Sequence, residues 1–335
     1  MSGDEFIHTP MNPQPWDLIS LLKQKIAEKG GGVCGHAHFD KAYVITPEML
    51  AQTEAHMEVK WDLWKNLKQN YTHDDLVTRI SRAVEKMISQ GITLCRTNID
   101  VDNTVGLKCV EAALEVKEKY KDKIELQLVS QVLEGALTPE SRAWIEKAAP
   151  MVDVLGGLPS RERPRQAEHL DVIFEMAKKY NKHVDVHIDQ NNDPDEKDTE
   201  LLAKKVIEHG LQGKVNAVHA CSLAAQEDGY MKEVIAMIKE ADMSVIVSPR
   251  AMLDGVQMRD KTAPLHNSIA PVPQLVAGGV NVALGVDNIH DLFCPYIDGD
   301  LFTDLLFLIE TTRFYDIDKL VDIATVNGRK ALKLS

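Results

Sequence analysis

Histidines and one carboxylate recur in this chain where short apolar runs end. Gly35-His36-Ala37-His38-Phe39-Asp40-Lys41 closes one such run. In an extended chain, residues i and i+2 point to the same face, so His36 and His38 aim two imidazoles at one spot. A lone buried histidine is usually packing, whereas a pair at this spacing is a metal-ligand pattern. His187 ends the run Val184-Asp185-Val186, His219 ends Asn216-Ala217-Val218, and Asp287 ends Ala283-Leu284-Gly285-Val286. Each has an ordinary structural role open to it, and a buried aspartate at a strand end often caps the next helix. Together they bring four histidines and one carboxylate to the ends of four runs. Imidazole with carboxylate suits one divalent ion, zinc or iron. A catalytic ion keeps a position open for water and lets that water lose its proton near neutral pH.

The apolar, β-branched runs that carry these residues read as buried parallel strands. They are Gly32–Asp40, Ile92–Val101, Ile124–Leu133, Val152–Pro159, His183–Gln190, Val215–Leu223, Met243–Ala251 and Val280–Asn288. Segments of helical period lie between them, and a last pair, Gly299–Arg313 and Ile317–Leu332, closes the chain. Eight strands alternating with helices is the count of a (β/α)8 TIM barrel, whose active sites sit at the C-terminal strand ends. The competing doubly wound sheet often carries a glycine-rich phosphate loop after its first strand, where this chain places histidines. No repeat or linker divides the sequence, so residues 1–335 read as a single barrel domain, with 1–30 an N-terminal extension. The stretch Leu50–Tyr71 reads as an insertion after strand one. Its Trp61 and Trp64 stand at (i, i+3), which favours core over lid.

Composition narrows the partners. There are 38 basic and 51 acidic residues, a net charge of −13, which would repel a phosphate backbone and excludes nucleic acid. The five cysteines are odd in number and show no C-x-x-C spacing, so a disulfide framework is not expected and reduced cytoplasmic thiols are. The N-terminus has acidic residues and prolines and does not read as a signal peptide. No apolar stretch approaches the ~18 residues a membrane helix needs. These features predict a cytoplasmic enzyme acting on a small molecule, without membrane contact.

Five segments carry a resemblance: Gly35-His36-Ala37-His38-Phe39-Asp40-Lys41, Arg96-Thr97-Asn98-Ile99-Asp100, Asp185-Val186-His187-Ile188-Asp189, Val218-His219 and Gly285-Val286-Asp287-Asn288. In this order the chain, from Val33 to Leu334, resembles the amidohydrolase superfamily and within it the cytosine-deaminase-like branch. The resemblance implies that His36, His38, His187 and Asp287 bind a single metal ion. It implies that His219 hydrogen-bonds the attacking water or the tetrahedral centre, and that Asp287 also takes the water's proton. Strand four, Val-Asp-Val-Leu-Gly-Gly-Leu-Pro, ends without the lysine of binuclear relatives, which implies one ion. Relatives are commonly homo-oligomers, so a homo-oligomer is expected by analogy. Many also carry a flanking β-sandwich, and the short flanks here, with Trp16–Lys29 helical, predict a barrel without one.

Two departures bear on substrate. Gln190 stands where the branch keeps a proton-shuttling glutamate, and an amide cannot carry a proton through a cycle. Asn288 stands where deaminases of the branch often hold the substrate ring with an aspartate. Leu133 replaces the glutamine that reads cytosine, and Gln131, two positions earlier, could face the same side. The substrate is therefore expected to differ from cytosine, with Gln131, Asn288 and Arg250 as binding residues. Arg250 and Arg259 flank the loop after strand seven, where a clamp for an anionic or carbonyl group and a solvated loop are both open. Asp40 reads as a buttress, and His290 and Asp291 as neighbours of the pocket. His8, His56, His73, His169, His183, His209 and His266 fall away from the site. The expected activity is hydrolytic deamination of a small N-heterocycle by a mononuclear metal hydrolase, with Asp287, His219 and Gln190 at the reacting centre. The alternatives are hydrolysis of an amide or cyclic amide, and a silent relative that binds metal or ligand.

Overall fold

A computed structural model describes residues 17–256, 258–264 and 269–334. His8, Trp16 and His266 of the sequence reading lie outside the described residues. Eight strands run parallel in one sheet in sequence order: β1 Gly32–Cys34, β2 Ile92–Asp100, β3 Glu125–Gln131, β4 Val154–Gly157, β5 His183–Ile188, β6 Val215–His219, β7 Ser244–Val247 and β8 Asn281–Leu284. Backbone bonds across the seam close the ring. The Gly35 N–H donates to Leu284 O at 2.7 Å, and the N–H groups of Val286 and Asp287 both donate to His36 O at 3.0 and 3.1 Å. This is the TIM barrel expected from the alternation of runs.

The helices, in chain order, are α1 Leu18–Glu28, α2 Leu50–Thr53, α3 Met57–Lys68, α4 His73–Ser89, α5 Lys108–Tyr120, α6 Pro139–Ala148 and α7 Gln166–Tyr180. They continue as α8 Asp198–His209, α9 Asp228–Glu240, α10 Pro249–Leu253, α11 Val272–Ala277, α12 Leu301–Thr312, α13 Ile317–Ala324 and α14 Val326–Leu332. The expected last helix, Ile317–Leu332, is two helices. Thr325 breaks it with φ −136° and ψ −86°, and its hydroxyl donates to Val321 O at 2.6 Å. The break turns α14 under the barrel. There Leu332 O accepts from Arg96 and Gln127, and Ala331 O accepts from Asn216.

The barrel interior is built in layers. At its N-terminal end Arg96 donates to Asp185 at 2.8 Å and to Gln127, so the buried guanidinium is neutralised and bonded. An apolar layer of Val33, Val218, Ile246 and Ala283 packs with Leu332. Above it lies the histidine cluster. β1 is shorter than the run Gly32–Asp40, because after Cys34 the chain leaves ladder geometry to carry His36 and His38. The Trp61–Trp64 segment is helix α3. Trp64 is fully buried, as core packing predicts, but Trp61 lines the cleft above the cluster.

Candidate active site

Strand alternation alone does not aim every site residue inward. On β5, Asp185 reaches Arg96 in the lumen, and His187 follows two residues later on the same face. On β6, Val218 already packs in the lumen, so His219 would face out by alternation. Its left-handed φ of +82° turns the chain and brings the imidazole back over the barrel. Asp287 likewise has φ +61°. Non-glycine residues in this region cost about 1–3 kcal/mol each and cluster at functional sites. On β1 the alternation breaks between Gly35, whose missing Cβ would face Ile246, and His36. The pleat argument that pairs His36 with His38 holds in outcome, but a bent strand end achieves it.

The four ligand candidates meet at one point. His38 Nε2 lies 3.1 Å from His187 Nε2. His36 Nε2 and His38 Nε2 each lie 3.2 Å from Asp287 Oδ1. His219 Nε2 lies 3.8 Å from the other oxygen, Oδ2. All five side chains are buried. Two imidazole nitrogens this close repel unless a proton or a cation lies between them. Bonds of about 2.0–2.1 Å to one ion put ligand nitrogens at this kind of spacing. Burial pushes the His38 imidazole down to about 4 and the His219 imidazole down to about 3, and it holds His187 well below its ordinary value. Neutral rings keep the lone pair a cation needs. Burial raises the Asp287 carboxyl, but the surrounding imidazoles, His219 first and then His36 and His38 through their hydrogen bonds, outweigh it and hold Asp287 well below the carboxylate range. The donor set therefore fits one borderline cation such as zinc or iron.

Supporting contacts fix these groups. The Asn98 carboxamide lies 3.0 Å from His36 Nδ1, a contact the sequence reading did not draw, although Arg96, Asn98 and Asp100 alternate inward along β2. Asp40 accepts from the Asp100 N–H at 2.8 Å and lies 3.4 Å from the Lys41 ammonium, the buttress it was expected to be. Asp189 turns away from the centre and caps α8, accepting from the N–H groups of Asp198 and Thr199. Burial raises its carboxyl to about 7.

Over the cluster opens a cleft lined by Gln131, Gln190 and Asn288 together with His38, His187 and Asp287. Gln131 Oε1 is buried and has no hydrogen-bond partner among the described residues. Asn288 Nδ2 donates to Asp291 Oδ2 at 2.5 Å, so Asp291 sits behind Asn288 and away from the cleft. His290 is tied to Pro295 O at 3.0 Å. Arg250 does not join this group. Its guanidinium donates to Asp298 at 2.8 Å and to Tyr296 O, and it does not line the cleft. Arg259 is exposed. The walls come partly from residues the sequence reading passed over. Met57, Lys60 and Trp61 of the insertion line the cleft together with Met252 and Phe293. The signal was the insertion's place, directly after the strand with two ligand candidates.

The sequence model of the amidohydrolase family matches residues 30–335. An uncharacterized protein of Haemophilus influenzae is 35% identical over 261 residues, which cover 77% of this chain and 94% of that one. The N-isopropylammelide isopropyl amidohydrolase of a Pseudomonas species is 30% identical over 311 residues, 88% of this chain and 72% of that one. The solved 5-methylcytosine deaminase of Klebsiella pneumoniae with 5-fluorocytosine superposes with a TM-score of 0.83 at 26% identity, over 90% of this chain and 74% of that one. With the barrel, the buried histidine–aspartate centre and these likenesses together, the chain belongs to the amidohydrolase family, hydrolases of carbon–nitrogen bonds.

Proposed function

We propose that the protein hydrolytically deaminates a small N-heterocycle, using one divalent ion, zinc or iron, held by His36, His38, His187 and Asp287. The observation that carries this is the convergence of three buried imidazoles and one carboxylate at 3.1–3.2 Å on the floor of a cleft. Bound there, the ion would polarise the reacting group and lower the pKa of a water. Asp287 has two oxygens with two surroundings. Oδ1 faces His36 and His38, while Oδ2 faces His219. In this reading Oδ2 takes a proton from the attacking water and returns it to the leaving nitrogen. Among the described residues both ring nitrogens of His219 lack a hydrogen-bond partner, which leaves the ring free to donate to an oxygen as charge develops there. Gln131, Gln190 and Asn288 present amides to the cleft, and amides match the mixed donors and acceptors of a heterocyclic ring. The names of the relatives, a 5-methylcytosine deaminase and an N-isopropylammelide amidohydrolase, fit the same substrate class.

A second reading, hydrolysis of an amide or cyclic amide, is favoured by Gln190. Among the described residues Asp287 is the one buried carboxylate lining the cleft, since Glu58 and Asp254 are exposed. One carboxylate suffices for an amine leaving group, whereas ring protonation in a deaminase asks more of it. A screen of metal-loaded protein on aminated pyrimidines, triazines and imidazoles, with lactams, decides. Ammonia release supports deamination, and ring opening without ammonia supports the second reading. Metal analysis should give about one ion per chain. Asp287→Asn should lower kcat by about 10²–10⁴-fold, and full activity in that variant would overturn the mechanism.

A further inference from the structure

Lys60 is a buried cation that the centre described above does not use. It sits on α3, lines the cleft, and is only 6% exposed. Its ammonium donates to Phe293 O at 3.3 Å and forms no ion pair among the described residues. An ammonium has three N–H donors, and this contact engages one.

The other cations near the site differ. Lys41 also lines the cleft, but its ammonium lies 2.5 Å from Asp100 and 3.4 Å from Asp40, so its charge is already matched. Lys68 is fully buried behind it and is surrounded by Asp100, Asp102 and Glu134. Arg250, the cation expected to clamp an anion, is engaged with Asp298. Asp254, on the rim, feels the charge of Lys60 but is exposed and makes no ion pair with it. The wall around Lys60 is apolar, with Met57, Trp61, Met252 and Phe293. The Lys60 ammonium thus lines the cleft with N–H donors not engaged by any hydrogen bond or ion pair among the described residues, and an anionic oxygen entering the cleft complements it in charge and in hydrogen bonding. The metal ligands and Lys60 share one cleft, so one small molecule can meet both.

We infer that Lys60 is a specificity residue that binds an anionic oxygen of the substrate, a carboxylate or an ionised ring oxygen. The substrate class is thereby an N-heterocycle bearing an acidic oxygen, in place of a neutral base such as cytosine. The inference deepens the deaminase reading and rests on it for turnover, but it does not rest on it for binding.

Two measurements test it on the metal-loaded 335-residue chain. The first is the ratio of kcat/KM for cytosine-5-carboxylate to that for cytosine. The second is the ratio of Kd for uracil to that for orotate, which differ by a ring carboxylate and need no turnover. Both ratios should favour the anion in the wild type. In Lys60→Met each should fall by about 10–100-fold, the worth of a charge-assisted hydrogen bond. Lys60→Arg should recover most of the preference, because it restores a donor and a charge. A Lys60→Met protein that folds with wild-type circular dichroism and keeps both ratios would overturn the inference, leaving Lys60 as a structural pin for Phe293 O. If no heterocycle releases ammonia but the orotate preference is present and lost in Lys60→Met, the deaminase reading fails and the inference stands. A wild type without any preference for the anion overturns the inference whatever the turnover.

Discussion

Asp291 shows how a single buried group serves the cleft without touching it. Oδ1 accepts the N–H groups of Phe293 and Cys294, both at 2.9 Å, and Oδ2 holds the Asn288 amide. These bonds fix a tight turn and set the direction of Asn288. Burial nevertheless raises the Asp291 carboxyl to about 6. An aspartate in the unfolded chain titrates near 3.9. The folded state therefore prefers the protonated form, and the stability from this group is present at low pH and lost as pH rises from about 4 to about 6. In metal-free protein, the stability difference between wild type and Asp291→Asn should fall by about 2–3 kcal/mol between pH 4 and pH 7. Urea unfolding at a series of pH values measures it. A difference that stays flat would mean that the charged form is no worse off folded than unfolded.

Among the elements, α3 is pinned from below and β8 is pressed against the site. Lys68 at the end of α3 inserts its ammonium between Asp100 and Asp102 at the end of β2, with Glu134 after β3 at 3.5 Å. Lys68→Ala leaves those carboxylates facing one another in a buried site, and should cost about 3–5 kcal/mol. Lys65→Ala, one turn earlier, removes a pair in which the lysine is exposed and its partner Glu134 keeps Lys68, and should cost under about 1 kcal/mol. Urea midpoints with unchanged slopes separate the two, and equal costs would mean that the buried network does not hold α3. On the other side, a Cβ on Gly285 would fall 2.7 Å from the Cβ and O of His36. Gly285→Ala should therefore displace His36, lose metal affinity and cost about 1–3 kcal/mol by overpacking. A Gly285→Ala protein with wild-type metal content would show that the seam yields without moving the ligand.

How far the sequence carried the fold also shows in these elements. All eight strands were legible, because strands covered on both faces must be apolar runs. Their C-terminal ends were not, because His36, His219 and Asp287 sit where the backbone leaves the ladder, and a pattern of residue types does not report φ. The ligand candidates were legible as residue types at run ends. The lid was not. Lys60 and Trp61 lie on α3, and the residues that line the cleft with them, Met252 of α10 and Phe293 after β8, come from about 190 and 230 residues away in the chain. Arg250 was misjudged for the same reason. Its partner Asp298 follows β8, and only the packed barrel brings them together.

At the scale of the whole molecule, the proposed ligand set ties together parts of the barrel that the chain keeps far apart. His36 and His38 follow β1, His187 ends β5 on the far side of the ring, and Asp287 follows β8 across the seam. A cation bound there joins the closing seam to the opposite wall, and the unfolded chain has no such site. Binding to the folded state alone adds stability of RT ln(1 + [L]/Kd), about 2.7 kcal/mol at one hundred times Kd and about 4.1 at one thousand times. For a chain of 335 residues that corresponds to roughly 4–6 °C in Tm. Chelation should lower Tm by that amount, and zinc or iron(II) added back should restore it. His187→Ala should abolish the chelator effect, because removing one nitrogen opens the set on the β5 side. The control lies on the outer face, where Asp171, Glu208 and His209 also come within ligand reach of one another. There Asp171 Oδ1 already meets Lys205 and His209 at 2.8 Å each, so a cation would have to displace them. Asp171→Asn should leave the chelator shift intact. If instead the shift survives His187→Ala and disappears in Asp171→Asn, the stabilising ion sits on the surface, and the buried histidines hold no cation that matters to the fold.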